Sequence, residues 1–495
     1  MKRILPAAFL AIWAAAFCLP QAARLVLRRA GAVSWAPFDA RGENRAPAPK
    51  PSLRRGSPRR VPWKGLGRGL EAWFNDAFPW RTELLAFHRK VLFRWLKTPA
   101  GRDVPGRGGW LFRRGGDWPE LDDYLGAKQL TPDELADWVA LFEGRREWAR
   151  AMGTVLLEFP ATTKARARWQ ELYPAVRRHR GPSVVDQVRA ALADSPARDD
   201  VLFADDDFEA AFAAGRETFF TVDHHPNAYG QWLLYDRINR RLRELFPDRI
   251  TGPFPWYDEP PPGVLDGREP GCWPGELRLE VSSPGETQDN DGVTHNGRRY
   301  PYTDVATVRE GGGLSILMSH DSFMRFSLAS WRREDGSVRF PFAPGVGRVR
   351  SRIFHRFSQG FLESVVRDGV PDVLIEQFPE CRLDGSVRRY LDRGTRAAAA
   401  FGRAAEPEPG RVPRAGDRIV ARAVLEGVAA NPGKKKCVAV LRCGGREIAR
   451  CAVLPGVRRA VFFDPVDLDE GGELTVSIKR GSAASADLAW RLVAP

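Results

Sequence analysis

Histidine and cysteine are scarce in this sequence, which has seven His and six Cys in 495 residues. No two cysteines are spaced as C-x-x-C, and no Cys/His cluster has the ligand spacing of a zinc finger, which excludes a structural zinc site of that kind. The sequence also has no internal repeat of 20–50 residues, which excludes a solenoid or a propeller. Chemistry that needs an imidazole therefore has few positions to use.

What the chain does contain is apolar and basic. Hydrophobic residues make up 43% and aromatic residues 11%, enough for large cores, and the length predicts at least two domains. The net charge of +14 by itself fits a polyanionic partner such as nucleic acid, acidic glycan or anionic lipid. Biased base composition is the alternative explanation, because Arg far outnumbers Lys. We expect no nucleic-acid partner.

The N-terminal residues 1–30 read as an export signal. Residues 4–23 carry no charge and follow Lys2 and Arg3, a pattern typical of a signal peptide or a signal anchor. Pro20 and Gln21 interrupt the expected cleavage site, which favours an uncleaved anchor. We therefore expect a periplasmic, extracytoplasmic protein that is attached to the inner membrane or secreted. The Pro- and Arg-rich residues 31–66 predict an extended linker.

Five cysteines follow the N-terminal segment. In an oxidising compartment they can pair, but their odd number leaves at least one unpaired within the chain. The sequence does not reveal which of them would pair.

Helical and strand patterns alternate along residues 67–400, which predicts an α/β domain with a largely parallel sheet. The predicted helices are 133–152, 184–193 and 206–214, and the predicted strands are 153–160, 199–205, 218–225, 314–319 and 371–378. Residues 407–495 contain six short strand patterns separated by Gly, Pro and Asp. They predict a separate C-terminal β-sandwich.

Ser322 is the candidate nucleophile. The stretch "LSILMSHDSFMRFSLASW", residues 314–331, reads as strand, sharp turn and helix. Such a turn exposes a hydroxyl at a helix start, where backbone N–H groups can stabilise an oxyanion. The alternative is simple helix capping, because Asp and Ser are favoured N-caps.

A serine nucleophile needs a base and a group that orients it, and "TVDHHPNAYG", residues 221–230, contains both residue types. If this stretch is an extended strand, Asp223 and His225 share a face and His224 points away. His225 is then the predicted base, and Pro226 begins the next helix. Together with His320 these side chains could also bind a metal ion, but their spacing does not enforce convergence, and we expect no metal.

These segments resemble the SGNH-hydrolase-like proteins of polysaccharide O-acetylation, especially the J and X proteins of alginate acetylation. The shared motifs occur in the same order: "FNDAFPWR" (74–81), "GRGGWLF" (106–112), Pro160 with Lys164, Asp223 and His225 with Asn227 and Gly230, Asp321-Ser322-Phe323, and "PDVLIEQFPE" (371–380). Two departures stand out. His320 occupies a position where the family has Gly, and Pro226 occupies one where it has Trp.

The resemblance implies an SGNH-hydrolase-like (flavodoxin-like) three-layer α/β domain with a triad of Ser322, His225 and Asp223. It implies transfer of an acetyl group through Ser322 to hydroxyls of an exported, acidic polysaccharide, with a multi-pass membrane acyltransferase as acetyl donor and no cofactor. Asn227 and Arg356 are candidate oxyanion or substrate-binding residues. The C-terminal β-domain would bind glycan. An O-acetyl esterase with the same triad and an inactive polysaccharide-binding assembly protein remain the alternatives.

Overall fold

The structure is a computed structural model. It describes residues 102–116, 119–221, 224–250, 313–321, 345–353, 370–430, 437–453, 456–482 and 485–494, short strands within 287–308, and residues 323, 324 and 342. The predicted anchor and linker, residues 1–66, lie outside this set, as does the "FNDAFPWR" motif.

The described elements alternate between helix and strand up to residue 403 and are strands thereafter. The strands are β1 (Asp103–Pro105), β2 (Leu111–Arg113), β3 (Val155–Ala161), β4 (Thr287–Asp289), β5 (Gly292–His295), β6 (Arg298–Pro301), β7 (Thr307–Val308), β8 (Leu314–His320), β9 (Val346–Ile353), β10 (Val373–Pro379), β11 (Arg418–Ala430), β12 (Cys437–Cys443), β13 (Arg446–Val453), β14 (Gly456–Asp467), β15 (Leu474–Lys479), β16 (Gly481–Ser482) and β17 (Ser485–Leu492). The α-helices are α1 (Glu120–Tyr124), α2 (Pro132–Ala151), α3 (Lys164–Ala167), α4 (Pro174–Arg177), α5 (Val184–Ala191), α6 (Asp205–Ala213), α7 (Ala228–Leu245) and α8 (Arg393–Arg403).

These elements form two compact units. One contains β1 and the antiparallel sheet β4–β5–β6, and the other contains the remaining elements.

The second unit is built on a five-stranded sheet of order β3–β10–β8–β9–β7. The first four strands are parallel, and β7 runs antiparallel to β9. Every residue of β10 is buried, and six of the seven residues of β3 are buried. Both faces of the sheet are therefore covered, as expected for parallel strands. This confirms the predicted mixed α/β architecture and the strands predicted near 153–160, 314–319 and 371–378.

Local signals explain where the main helices start. Thr131 and Glu134 form a capping box before α2, and Ser183 and Asp186 form one before α5. Helix α2 packs on the sheet through Ala149, whose apolar cluster includes a residue from each of β3, β8 and β10. The helices predicted at 133–152, 184–193 and 206–214 are confirmed as α2, α5 and α6.

Two predicted strands are wrong. In 199–205 only Val201 bridges β3, because a 3₁₀ turn ends at Asp200 and α6 begins at Asp205. In 218–225 the described residues form a turn instead of a strand, closed by an antiparallel bridge between Phe219 and Pro226. The period-2 pattern identified apolar residues in both places but could not show that the chain reverses.

A buried charge cluster joins α2 to the sheet. The Arg145 guanidinium bonds the carboxylates of Glu158 on β3 and Glu376 on β10, which are paired in register. Burial raises the pKa of Glu158 to about 8, and the neighbouring Glu376 acts in the same direction, although Arg145 opposes both. One guanidinium therefore holds two buried acidic side chains from neighbouring strands.

The C-terminal residues form two antiparallel sheets. One contains β14, β11 and β17 with the short β16, and the other contains β13, β12 and β15. A shared apolar cluster includes Ala421, Leu425 and Phe463 from the first sheet and Ala439 and Leu441 from the second. The six predicted strands are confirmed, and their antiparallel pairing agrees with the β-sandwich prediction. The first sheet also packs on α2 and α8 through Val420, Val424 and Phe462.

Candidate active site

The carboxyl ends of β3, β8 and β10 lie at one edge of the sheet, because these strands are parallel neighbours. Polar residues follow directly: Thr162 to Lys164 after β3, Asp321 after β8 and Glu380 after β10. Ligands of open α/β sheets bind outside this edge. We therefore expect a functional site at this edge.

The histidine loop, which we define as residues 218–227, approaches this edge. It reverses the chain: the Asn227 N–H donates to the Thr218 carbonyl at 3.0 Å, and the Phe220 N–H donates to the His225 carbonyl at 3.4 Å. The prediction that His224 points away from His225 is wrong. Their ring centroids lie 3.9 Å apart, because alternation of side chains applies to a strand and this segment is a turn.

The histidine loop meets the turn that follows β8. Phe323 is fully buried, and its ring centroid lies 5.8 Å from that of His225, 6.2 Å from that of His224 and 6.5 Å from that of Phe219. The structure thus brings the predicted base next to the residue that follows the predicted nucleophile. Ser322 and Asp223 themselves lie outside the described residues, so the triad stays a prediction.

Asp321 is a buried carboxyl group in this turn. Its Oδ1 accepts the Phe323 N–H at 2.8 Å, and its own N–H donates to Gln377 Oε1 at 3.0 Å. Burial raises the pKa of Asp321 to about 6, against the effects of the Phe323 N–H, the Gln377 side chain and the charges of His225 and Arg382. Within the described part of the chain, Oδ2 of Asp321 and Nε2 of Gln377 have no hydrogen-bond partner.

Sequence reasoning did not single out Asp321 or Gln377 as site residues. The available signal for Gln377 was an amide near the carboxyl end of a strand that is otherwise largely apolar. For Asp321 the available sequence signal was its position next to Ser322, the predicted nucleophile. The Asp321 side chain accepts the Phe323 N–H within this turn, and the helix predicted after the turn lies outside the described residues.

His320 is buried at the point where β8 meets the turn. It is the last residue of β8, it is fully buried, and its Nδ1 lies 2.8 Å from the Asp321 carbonyl oxygen. The departure from the glycine of the family is therefore accommodated inside the protein.

Asn227 has a structural role. It is the N-cap of α7, which begins at Ala228 rather than at Pro226 as predicted. Its Oδ1 accepts the Gly230 N–H at 2.9 Å, and its Nδ2 donates to the Glu217 carbonyl at 2.8 Å. A Cβ at Gly230 would lie 2.0 Å from the Thr218 carbonyl oxygen, so only glycine fits where α7 meets the histidine loop. Arg356, the other candidate, lies outside the described residues.

A polar brace holds the ends of β3 and β10 together. Glu380 Oε1 accepts hydrogen bonds from the N–H and the hydroxyl of Thr163, at 2.9 and 2.6 Å. Burial raises the pKa of Glu380 to about 8, and Arg166 opposes this effect. The Thr162 hydroxyl donates to Asp205 at 2.9 Å, which ties α6 to the same edge.

Further predictions concern metals, disulfides and membrane insertion. Within the described residues, no group of three or more His, Cys, Asp or Glu side chains could hold a metal ion. The four cysteines that the structure describes, Cys381, Cys437, Cys443 and Cys451, form no disulfide with one another. No helix in the ranges covered by the structure is long and apolar enough to cross a membrane.

Comparison with known proteins gives structural neighbours only. No family model and no curated protein sequence matches the chain. The O-acetyltransferase domain of AlgJ from Pseudomonas putida is 15% identical, with a TM-score of 0.34, over 59% of this chain and 99% of that one. AlgX from Pseudomonas aeruginosa is 14% identical, with a TM-score of 0.36, over 79% and 95%. PatB1 from Bacillus cereus, in complex with a sulfonyl adduct, is 9% identical, with a TM-score of 0.36, over 58% and 99%. The structural neighbours thus include the J and X proteins whose motifs this sequence resembles, at low structural similarity.

Proposed function

We propose that the protein is a serine-dependent O-acetyltransferase that acts on hydroxyl groups of an exported polysaccharide. One observation carries the proposal: the ring of His225 lies 5.8 Å from that of Phe323, although the two segments are far apart in sequence. An imidazole next to the residue that follows a serine, at the carboxyl edge of a parallel sheet, is the arrangement that a nucleophile and its base require.

In the proposed mechanism the Ser322 hydroxyl attacks the carbonyl carbon of an acetyl ester, and His225 accepts the hydroxyl proton. The ester bond breaks, and His225 returns this proton to the leaving oxygen, which leaves acetyl-Ser322. A sugar hydroxyl then attacks the acetyl group and gives its proton to His225. When Ser322 leaves it recovers that proton, so each half-reaction balances. Asp223 orients the imidazole.

The proposed function also implies partners and a cellular location. The net charge of +14 suits an acidic polymer. A multi-pass membrane acyltransferase would supply the acetyl group, and the N-terminal residues 1–30 would hold the protein at the inner membrane with 31–66 as linker. Residues 67–400 would be an SGNH-hydrolase-like three-layer domain, and residues 407–495 a β-sandwich that binds glycan.

The test is acetyl transfer by the purified full chain. It is incubated with a soluble acetyl ester and an acidic oligosaccharide, and products are identified by mass spectrometry. We expect acetylated oligosaccharide, and its loss with Ser322→Ala by about 10³-fold or more. Free acetate alone would establish the esterase instead, and no turnover together with oligosaccharide binding would establish the inactive scaffold. Unchanged turnover by Ser322→Ala would remove the nucleophile.

A further inference from the structure

A buried lysine donates a hydrogen bond to the backbone of the histidine loop. Lys164 is the first residue of α3, directly after β3, and it is fully buried. Its Nζ donates to the Thr221 carbonyl at 2.8 Å. Burial of an ammonium group costs free energy unless its charge is compensated and its hydrogen bonds are made. The groups around Lys164 should therefore compensate it.

The environment of Lys164 compensates its charge. Its Nζ lies 5.0 Å from the ring centroid of Trp110 and 5.6 Å from that of Phe112, within the range of cation–π attraction. Burial raises the pKa of the Glu120 carboxyl to about 7, and the nearby charge of Lys164 acts in the opposite direction. The Lys164 side chain is thus held by the Thr221 carbonyl, two aromatic rings and the nearby Glu120 carboxyl.

The residue between the two rings completes the contact. The Leu111 N–H donates to the same Thr221 carbonyl at 3.0 Å. Thr221 is therefore fixed by two donors, one from Lys164 and one from the backbone between Trp110 and Phe112. Three residues of the "GWLF" motif take part in this contact: the rings of Trp110 and Phe112 lie near the ammonium group, and the Leu111 N–H bonds the loop.

We propose that Lys164 is a positioning residue that holds the histidine loop through Thr221 and so sets the place of the His225 imidazole against the turn after β8. This inference rests on the proposed function. Thr221 follows Phe219 on one side of the Phe219–Pro226 bridge, and His225 precedes Pro226 on the other side. The Phe220 N–H, next to Thr221, donates to the His225 carbonyl at 3.4 Å. Movement of Thr221 would therefore move the imidazole relative to Phe323. A misplacement of about 1 Å can cost about 10²-fold in rate.

The test removes the ammonium group without leaving an unpaired carboxylate. In the double variant Lys164→Met and Glu120→Gln both charges are absent, and the amide of Gln can still accept the Arg113 N–H that Glu120 accepts now at 2.8 Å. We expect a folded protein whose kcat falls at least tenfold while KM for the acetyl ester changes less than threefold. Amide hydrogen exchange in residues 218–227 should become at least tenfold faster.

The matched control is Arg168→Met. The Arg168 guanidinium also stacks on Trp110, at 4.5 Å from the ring centroid, but it donates to the Arg216 carbonyl and not to Thr221. The Arg168→Met substitution removes a cation from the ring of Trp110 but leaves the bond to Thr221 in place. Its kcat should therefore stay within threefold of wild type. Phe112→Leu is a second probe. It removes one of the two aromatic rings near the ammonium group of Lys164 and keeps the lysine itself. It should lower kcat less than the double variant does.

The two proposals fail in different ways. If wild-type protein transfers acetyl groups and the double variant matches it in kcat and in exchange of the loop, the inference about Lys164 is overturned and the proposed function stands. If wild-type protein shows no turnover, the proposed function fails. Amide hydrogen exchange of residues 218–227 then still decides whether Lys164 holds the loop. If exchange is unchanged in the double variant and in Phe112→Leu, the inference is overturned. Should the double variant not fold, the exchange of the loop in Phe112→Leu decides the same point.

Discussion

The imidazole rings of His224 and His225 lie 3.9 Å apart, and both lie within 6.2 Å of the ring of Phe323. Both side chains are partly exposed. The two histidines therefore face the same turn, and the strand-based reason for preferring one of them no longer applies. The choice of His225 rests on its spacing from Asp223 in the resembled motif.

The roles of the two imidazoles can be separated by kinetics. His225→Gln should lower kcat/KM for acetyl transfer by about 10²–10⁴-fold, because a general base contributes that much. His224→Gln should lower it less than tenfold, since only one ring can accept the Ser322 proton. Steady-state kinetics of both purified variants tests this. A larger loss in His224→Gln would make His224 the base.

Asn227 should contribute to stability rather than to the reaction. Asn227→Ala removes the cap of α7 and the bond to the Glu217 carbonyl, and we expect a loss of about 2 kcal/mol in the free energy of unfolding. Asn227→Ser keeps a capping oxygen and should recover about half of this loss. Urea denaturation measures both. If Asn227→Ser stays folded and kcat falls 100-fold, the side chain instead stabilises the oxyanion.

Asp321 should make stability depend on pH. Its pKa is about 6 in the folded protein, compared with the usual aspartate value of 3.8 that we take for the unfolded chain. The folded state therefore binds the proton more tightly than the unfolded chain does. Wild-type stability attributable to this group therefore falls as pH rises from about 4 to about 6 and stays lower above that, by about 3 kcal/mol.

Asp321→Asn cannot ionise, and its Oδ1 can still accept the Phe323 N–H. The variant should be more stable than wild type at pH 8, by up to about 3 kcal/mol, and equal to it near pH 4. Urea denaturation of both proteins at the two pH values gives the difference. An equal gain at both pH values would show that ionisation of Asp321 is not the cause.

The contact between α2 and α8 should not tolerate a methyl group. A Cβ at Gly144 would lie 2.0 Å from the Thr395 carbonyl oxygen, and backbone cannot move aside as a flexible side chain can. Gly144→Ala should lower the free energy of unfolding by about 2 kcal/mol or more. The C-terminal sheet that contains β11 and β14 packs on these helices, so limited proteolysis should cut the variant faster near residues 404–417.

Gly394→Ala is the control for this prediction. It lies in α8 next to Thr395, and the nearest atom to its Cβ would be Asp392 Oδ1 at 3.4 Å. Alanine there should be neutral or raise stability by up to about 1 kcal/mol. Equal destabilisation by the two substitutions would mean that the helix contact is not the reason.

Much of the architecture was readable from local patterns. Strands β3, β8 and β10 appear as short apolar runs, and α2 and α5 begin within one residue of the predicted positions. These signals work because each depends on residues within one turn or one strand. The same reasoning failed at 199–205 and 218–225, where apolar residues are buried without forming a strand.

The sequence by itself determined the alternating α/β order, the antiparallel C-terminal strands and the small set of residues able to do acyl chemistry. Only the tertiary structure decided that His224 and His225 face one turn, that the Asn227 amide caps α7, and that Lys164 bonds Thr221. The reason is physical. Periodicity and capping depend on neighbours in the chain, whereas these contacts depend on strands and loops that meet only when the parallel sheet has assembled.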